Sequence, residues 1–216
     1  MSVARRLCVR ALGETPYAQT LAAMREFTDS RGEGTPDALW LTTHTPVYTL
    51  GLNGDPAHVL AAGEIPVLRT DRGGQVTYHG PGQLVAYTLL DVRRLGLGVR
   101  ELVECLERAV IAVLARHGVS AYARRDAPGV YVEGAKIASL GLKLRQGRCY
   151  HGLSLNVAGD VSPFERINPC GQAGLRVCRL VDYDPAADID TLAPELAVLL
   201  AAELNLEPYF GASEHD

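Results

Sequence analysis

The 216-residue chain is 47% apolar and 21% charged, the balance of an ordinary globular protein long enough to bury a core. Its net charge of -4 argues against a nucleic-acid binder, which would carry a basic excess. No apolar run approaches the ~18 residues of a membrane span, no apolar h-region follows Arg5, Arg6 and Arg10, and the five cysteines form no C-x-x-C pair. A reducing cytoplasm with free thiols, no metal and no cofactor is the expected setting.

In chain order, residues 6–12 alternate as a strand. Thr15-Pro16 opens a helix whose Tyr17, Leu21, Met24 and Phe27 recur at helical spacing up to Arg31-Gly32. Residues 37–43 and 46–50 read as strands, 51–63 as loop, 66–69 and 75–78 as short strands around Gly73-Gly74, and 84–91 as a longer apolar strand. Residues 100–117 form the clearest helix, with an apolar stripe of Leu102, Cys105, Leu106, Ala109, Val110, Val113 and Leu114 closed by Gly118. Strands follow at 130–132, 135–144 and 148–157, joined by Glu133-Gly134 and Gln146-Gly147 turns. Residues 160–174 are irregular, and 190–204 read as a closing amphipathic helix. Without repeats or linkers, this is one α+β domain over residues 1–216, with mixed or antiparallel sheets and packed helices.

Three segments could carry chemistry. The stretch from Arg72 to Gln83 packs four glycines, a proline and His79 into twelve residues. Such loops let a ligand approach the backbone and free N–H groups for a carbonyl or an anion. No G-K-S/T follows, so it is not a phosphate-binding P-loop. In the second segment Lys136 sits in an apolar strand. Alternation puts it on one face with Ala138, Leu140 and Leu142, and Lys143 on the other, which makes Lys136 the buried lysine and suits it to proton transfer. In the third, Asn168-Pro169-Cys170-Gly171, a cysteine lies on a turn, where a nucleophile and oxyanion-binding N–H groups could coincide. Cys8, Cys105, Cys149 and Cys178 read as packing residues. His79 or His151 could instead serve Cys170 as the base of a cysteine hydrolase. His44, His58 and His215 are assigned nothing. The pairs Arg5-Arg6, Arg93-Arg94 and Arg124-Arg125 read as a solvated face, or as a dock for an acidic carrier.

Together these segments resemble the lipoyl(octanoyl) transferase family. The resemblance is carried by RGGQVTYHGPGQLVAYTLLDVR from Arg72, GAKIASLGLKL from Gly134, HGLSLNV from His151 and NPCG from Asn168, in the family's order, with a 34-residue interval from Lys136 to Cys170. It implies the biotin/lipoate ligase-like, class II synthetase-like α+β fold. It also implies transfer of an octanoyl group from octanoyl-acyl carrier protein to lipoyl domains of 2-oxoacid dehydrogenase subunits and the glycine-cleavage carrier protein. Cys170 would carry the acyl-thioester and Lys136 would be its proton partner. Arg72, Gly73, Gly74, Gln75, Val76, Thr77, Tyr78 and His79, then Ser139, Leu140 and Gly141, then Gly152, Leu153 and Ser154, would hold the acyl group. Gln75 departs from the acidic residue expected there and should face away from the chemistry; Ala86 stands where glycine is commoner. A monomer fits this length. The alternatives are an ATP-dependent lipoate or biotin ligase of the same fold, a thioesterase, and a non-catalytic lipoyl-domain or carrier binder.

Overall fold

Eleven strands divide between two sheets in the computed structural model, which describes residues 5–211. The residues on either side, including His215, lie outside the described part. The strands are β1 (Arg6–Thr15), β2 (Asp37–His44), β3 (Val47–Leu50), β4 (Val67–Arg69), β5 (Val76–His79), β6 (Gln83–Asp91), β7 (Tyr122–Ala123), β8 (Gly129–Val132), β9 (Ala135–Arg145), β10 (Arg148–Asn156) and β11 (Glu207–Phe210). The helices are α1 (Tyr17–Ser30), α2 (Val92–Leu95), α3 (Val99–Arg116) and α4 (Ile189–Glu203). The large sheet runs β11-β1-β2-β6-β10-β9-β8-β7 and the small one β4-β3-β5. β1 is parallel to β2 and β11, and β3 to β4; every other pair is antiparallel, so the expected α+β class with mixed sheets is the one found.

Most expected elements are present with shifted ends. β1 continues three residues beyond Leu12 because its register slips between Ala11 and Glu14, around a positive φ at Gly13, and pairing with β2 resumes. The Glu133-Gly134 and Gln146-Gly147 turns have φ of 49° and 80°, and of 52° and 77°, the paired positive values of type I′ hairpin turns. Three elements were not expected: α2, β7 and β11. The helix at the C-terminal end does not close the chain, since β11 follows it and docks on β1, with Glu207 N–H bonded to Arg5 O at 2.8 Å. β11 has two exposed and two half-exposed residues at a sheet edge and includes Pro208, so it carries no alternation to read.

Period-two alternation decides what each sheet face covers. On β6, Leu84, Ala86 and Leu90 pack beneath α3 and α4, and Val85, Tyr87 and Leu89 pack beneath α1. The small sheet has its own cluster of Tyr48, Leu50, Val76, Tyr78, Phe164 and Ile167. Between the small sheet and the α1-facing side of β6, β9 and β10 lies a cleft. No helix among the described residues is long and apolar enough to cross a membrane.

Candidate active site

Cys170 and Lys136, 34 residues apart, meet at the cleft. Lys136 Nζ donates to Cys170 Sγ at 3.0 Å and to Pro128 O at 2.9 Å. Lys136 is only 2% exposed, while Cys170 is exposed. Lys136 does not reach the thiol from the face it was expected to share with Ala138. Val130 pairs with Ala138 and Tyr131 with Lys136, so Ile137 is the extra residue of a bulge. The bulge turns Lys136 toward the cleft side lined by Ser139 and Gly141. Segment 176–178 pins its backbone: Lys136 N–H bonds to Arg176 O, and Cys178 N–H bonds to Lys136 O.

Cys170 sits in the left-handed region, at φ 56° and ψ 21°, and Gly171 follows at φ 73°. A non-glycine residue there is strained, and such residues cluster where a side chain must be presented. Asn168 anchors the loop: its N–H bonds to His58 O at 2.8 Å, and its side-chain amide lies 3.3 Å from His58 Nδ1. The other four cysteines are buried and free, as expected for packing residues.

The cleft is about 480 Å³ counting its open mouth. Of the residues expected to hold the acyl group, Arg72, Gly74, Gln75, Val76, Thr77, His79, Ser139, Leu140, Gly141, Gly152, Leu153 and Ser154 line it. Two do not. The Tyr78 ring turns into the small-sheet cluster beside Tyr48 and Phe164. Gly73 sits behind the wall, its N–H bonded to Leu142 O. Arg72 acts as a brace, donating to Thr49 O, Thr49 Oγ1, Gln75 O and Gly73 O, all within 3.2 Å. Gln75 does not face away from the candidate centre: a methyl built on Gly171 would lie 3.5 Å from its Cγ. Its Oε1 accepts from Asp55 N–H at 3.0 Å, a contact in which a neutral amide avoids setting a second carboxylate beside Asp55. Gly152 lets β10 lie against β6, since a Cβ there would fall 2.0 Å from Ala86 O.

Tyr17, Val85 and Tyr87 also line the cleft and had no signal in the sequence, because they reach it only through the packing of α1 and β6. Behind them His44, at the end of β2, packs against Tyr17, His79 and Tyr87, accepts from Tyr87 OH at 2.6 Å through Nε2 and donates from Nδ1 to Thr15 O. Tyr17 stacks on His79 with centroids 5.6 Å apart. His79 Nδ1 donates to Gln83 Oε1 at 2.7 Å, and burial, with His44 nearby, pushes its imidazole down to about 3. Burial likewise lowers His44 and His151, the latter despite its bond to Asp71. His151 Nε2 donates to Asp71 Oδ1 at 2.9 Å, which leaves a bare, buried Nδ1 with no partner among the described residues. Burial works against the Asp71 charge, but bonds from His151, Tyr150 and Arg25 outweigh it and hold the carboxyl below its usual range. Among the described residues, neither His79 nor His151 bonds to Cys170, whose side-chain partner is Lys136. The basic pairs divide: Arg94 is tied to Asp37 at 2.8 Å as a brace, and Arg124 to Asp126 at 2.6 Å.

This arrangement can support acyl exchange: a thiol, an amine to take its proton, and a cleft beside them. Comparison with known proteins gives it a family. The model of the lipoyl protein ligase A/B catalytic domain matches residues 16–198. An octanoyltransferase of Methylococcus capsulatus is 58% identical over 202 residues, covering 90% of this chain and 96% of that protein. Another, of Halorhodospira halophila, is 56% identical over 207 residues, covering 96% and 94%. Among solved structures, a bipartite lipoate protein ligase from Thermoplasma acidophilum superposes with a TM-score of 0.76 at 18% identity, covering 97% of this chain and 88% of that one. The biotin protein ligase of Aquifex aeolicus gives 0.55 at 11%, covering 94% and 69%. These two likenesses carry the fold, and the relatives carry the activity class: the chain belongs to the octanoyltransferase family within the lipoyl protein ligase A/B catalytic domains, and is an acyltransferase.

Proposed function

We propose that the chain takes an octanoyl group from octanoyl-acyl carrier protein onto Cys170 and passes it to a lysine of a lipoyl domain, in the cytoplasm, with residues 1–216 acting as one catalytic domain. The observation that carries this reading is the 3.0 Å contact between Lys136 Nζ and Cys170 Sγ at the cleft. Lys136 takes the thiol proton as sulfur attacks the acyl carbonyl. The carbon–sulfur bond to the carrier breaks, and the departing carrier thiolate receives that proton. The acceptor amine then attacks the Cys170 thioester. Its carbon–sulfur bond breaks, and the amine's proton returns through Lys136 to the Cys170 sulfur. The donor thioester is already activated, so no ATP enters. The residues lining the cleft receive the eight-carbon chain, each buried methylene contributing about 0.8 kcal/mol. Acceptors of this chemistry are the lipoyl domains of 2-oxoacid dehydrogenase subunits and the glycine-cleavage carrier protein.

The test is intact-protein mass spectrometry after mixing with octanoyl-acyl carrier protein in the absence of ATP. One octanoyl adduct, labile to hydroxylamine and lost in Cys170→Ala, is expected. Labelling that needs free fatty acid and ATP would move the chain to the ligases, and release of free octanoate without an acceptor would make it a thioesterase.

A further inference from the structure

Lys136 is aimed by a loop that is itself held from outside the cleft. The loop is the end of the β7–β8 connection, Ala127-Pro128, with Gly129, the first residue of β8. Its middle carbonyl, Pro128 O, accepts from Lys136 Nζ at 2.9 Å. Its two flanking groups are clamped separately. Ala127 O accepts from Tyr131 OH at 2.9 Å, and Gly129 N–H donates to Glu107 Oε1, also at 2.9 Å. Glu107 comes from α3, where the other buried residues are apolar, and it is only 6% exposed. A carboxylate kept in such a place costs desolvation unless a partner repays it, and its hydrogen-bond partner here is the Gly129 amide. Burial and the nearby Glu104 raise the Glu107 carboxyl, while the Gly129 N–H and the nearby Lys136 act against that rise.

Gly129 is tied into the same geometry. Its φ is 143°, and a methyl built on it would lie 2.4 Å from Lys136 Cε and 2.8 Å from Nζ. The lysine stem therefore lies against the peptide that Glu107 holds. Any turn of the Pro128–Gly129 peptide would carry the carbonyl away from Nζ, and Nζ away from Cys170.

We propose that Glu107 is a positioning residue: by accepting the Gly129 N–H it fixes the Pro128 carbonyl, which seats Lys136 Nζ against Cys170. This inference rests on Cys170 acylation as the reaction. Glu107 does not touch the acyl group. Its role is that of an acceptor at one point, so glutamine can replace it and a side chain without an acceptor cannot.

The experiment compares Glu107→Gln, Glu107→Ala and Glu107→Met with wild type. Single-turnover acylation of Cys170 by octanoyl-acyl carrier protein is measured over a range of donor concentrations. A parallel arm measures alkylation of Cys170 by iodoacetamide, which needs no acyl donor. Displacing a catalytic group by about 1 Å can cost up to ~100-fold, so the alanine and methionine variants should lose roughly ten-fold or more in the maximal acylation rate, with half-saturation by donor little changed. Glutamine should stay within about three-fold of wild type, because its Oε1 still accepts. Alkylation should fall in the same order. Methionine fills the volume of glutamate without an acceptor, and reads the proposal if alanine fails to fold. A folded alanine or methionine variant with the wild-type acylation rate overturns the inference, and so does a glutamine variant as slow as the other two. Wild type that forms no adduct at Cys170 overturns the reaction reading instead, while the alkylation arm still reports on Glu107.

Discussion

The candidate site has a proposed reactive end and a walled end, and they treat their polar groups in opposite ways. At the reactive end, Cys170 is exposed in a strained left-handed conformation and Lys136 bonds directly to its sulfur. At the walled end, His44, His79 and His151 are buried, their imidazoles are pushed down, and their bonds run to Thr15, Tyr87, Gln83 and Asp71. An imidazole that resists protonation is a poor proton acceptor near neutrality, yet its ring supplies a flat neutral surface. The contrast supports the proposed lysine–cysteine pair over a cysteine–histidine arrangement. His79 and His151 line the cleft, His44 packs behind His79 and Tyr87, and the lysine meets the sulfur.

Changes at the reactive end should stop chemistry and spare the fold. Cys170→Ser should lower octanoyl transfer by about a thousand-fold or more, because a serine without a strong base is a weak nucleophile. Its melting temperature should match wild type, since the exposed side chain packs little. Lys136→Met, which keeps the stem and removes the amine, should slow Cys170 acylation by roughly a hundred-fold. Stopped-flow or quenched mass spectrometry reads that rate, and a near-normal rate would give the proton role to another group.

Changes at the walled end should cost stability before chemistry. Gly152→Ala would place a methyl 2.0 Å from the Ala86 carbonyl. The two central strands must separate to admit it, so about 3 kcal/mol should be lost in urea melts. A smaller effect concerns pH. His79 protonates near its ordinary value of 6.5 in the unfolded chain but not until about 3 in the folded protein. Between those values the unfolded chain binds more protons, so stability falls as pH falls through that window. The loss from pH 7.5 to 5 should be about 2 kcal/mol from His79 alone, with His44 and His151 adding in the same direction. His79→Phe should flatten that part of the curve. If it does not, the walled end is not the neutral surface described here.

Much of this molecule was legible along the chain. The α3 stripe, the alternation of β6 and β10, and the two hairpin turns with paired positive φ are local patterns, and local patterns set local structure. The Asn168–Gly171 turn marked Cys170 as presented, and the apolar run around Lys136 marked it as buried, because burial and turn formation follow from immediate neighbours. Tertiary structure decided the rest. Only strand pairing put a bulge at Ile137 and turned Lys136 to the cleft. Only the approach of α3 to residues 127–129 gave Glu107 its partner, and only the meeting of β2, β5 and β10 gathered the three buried histidines. These contacts join residues far apart in sequence. They depend on which strand lies beside which, a fact that no window of a few residues contains.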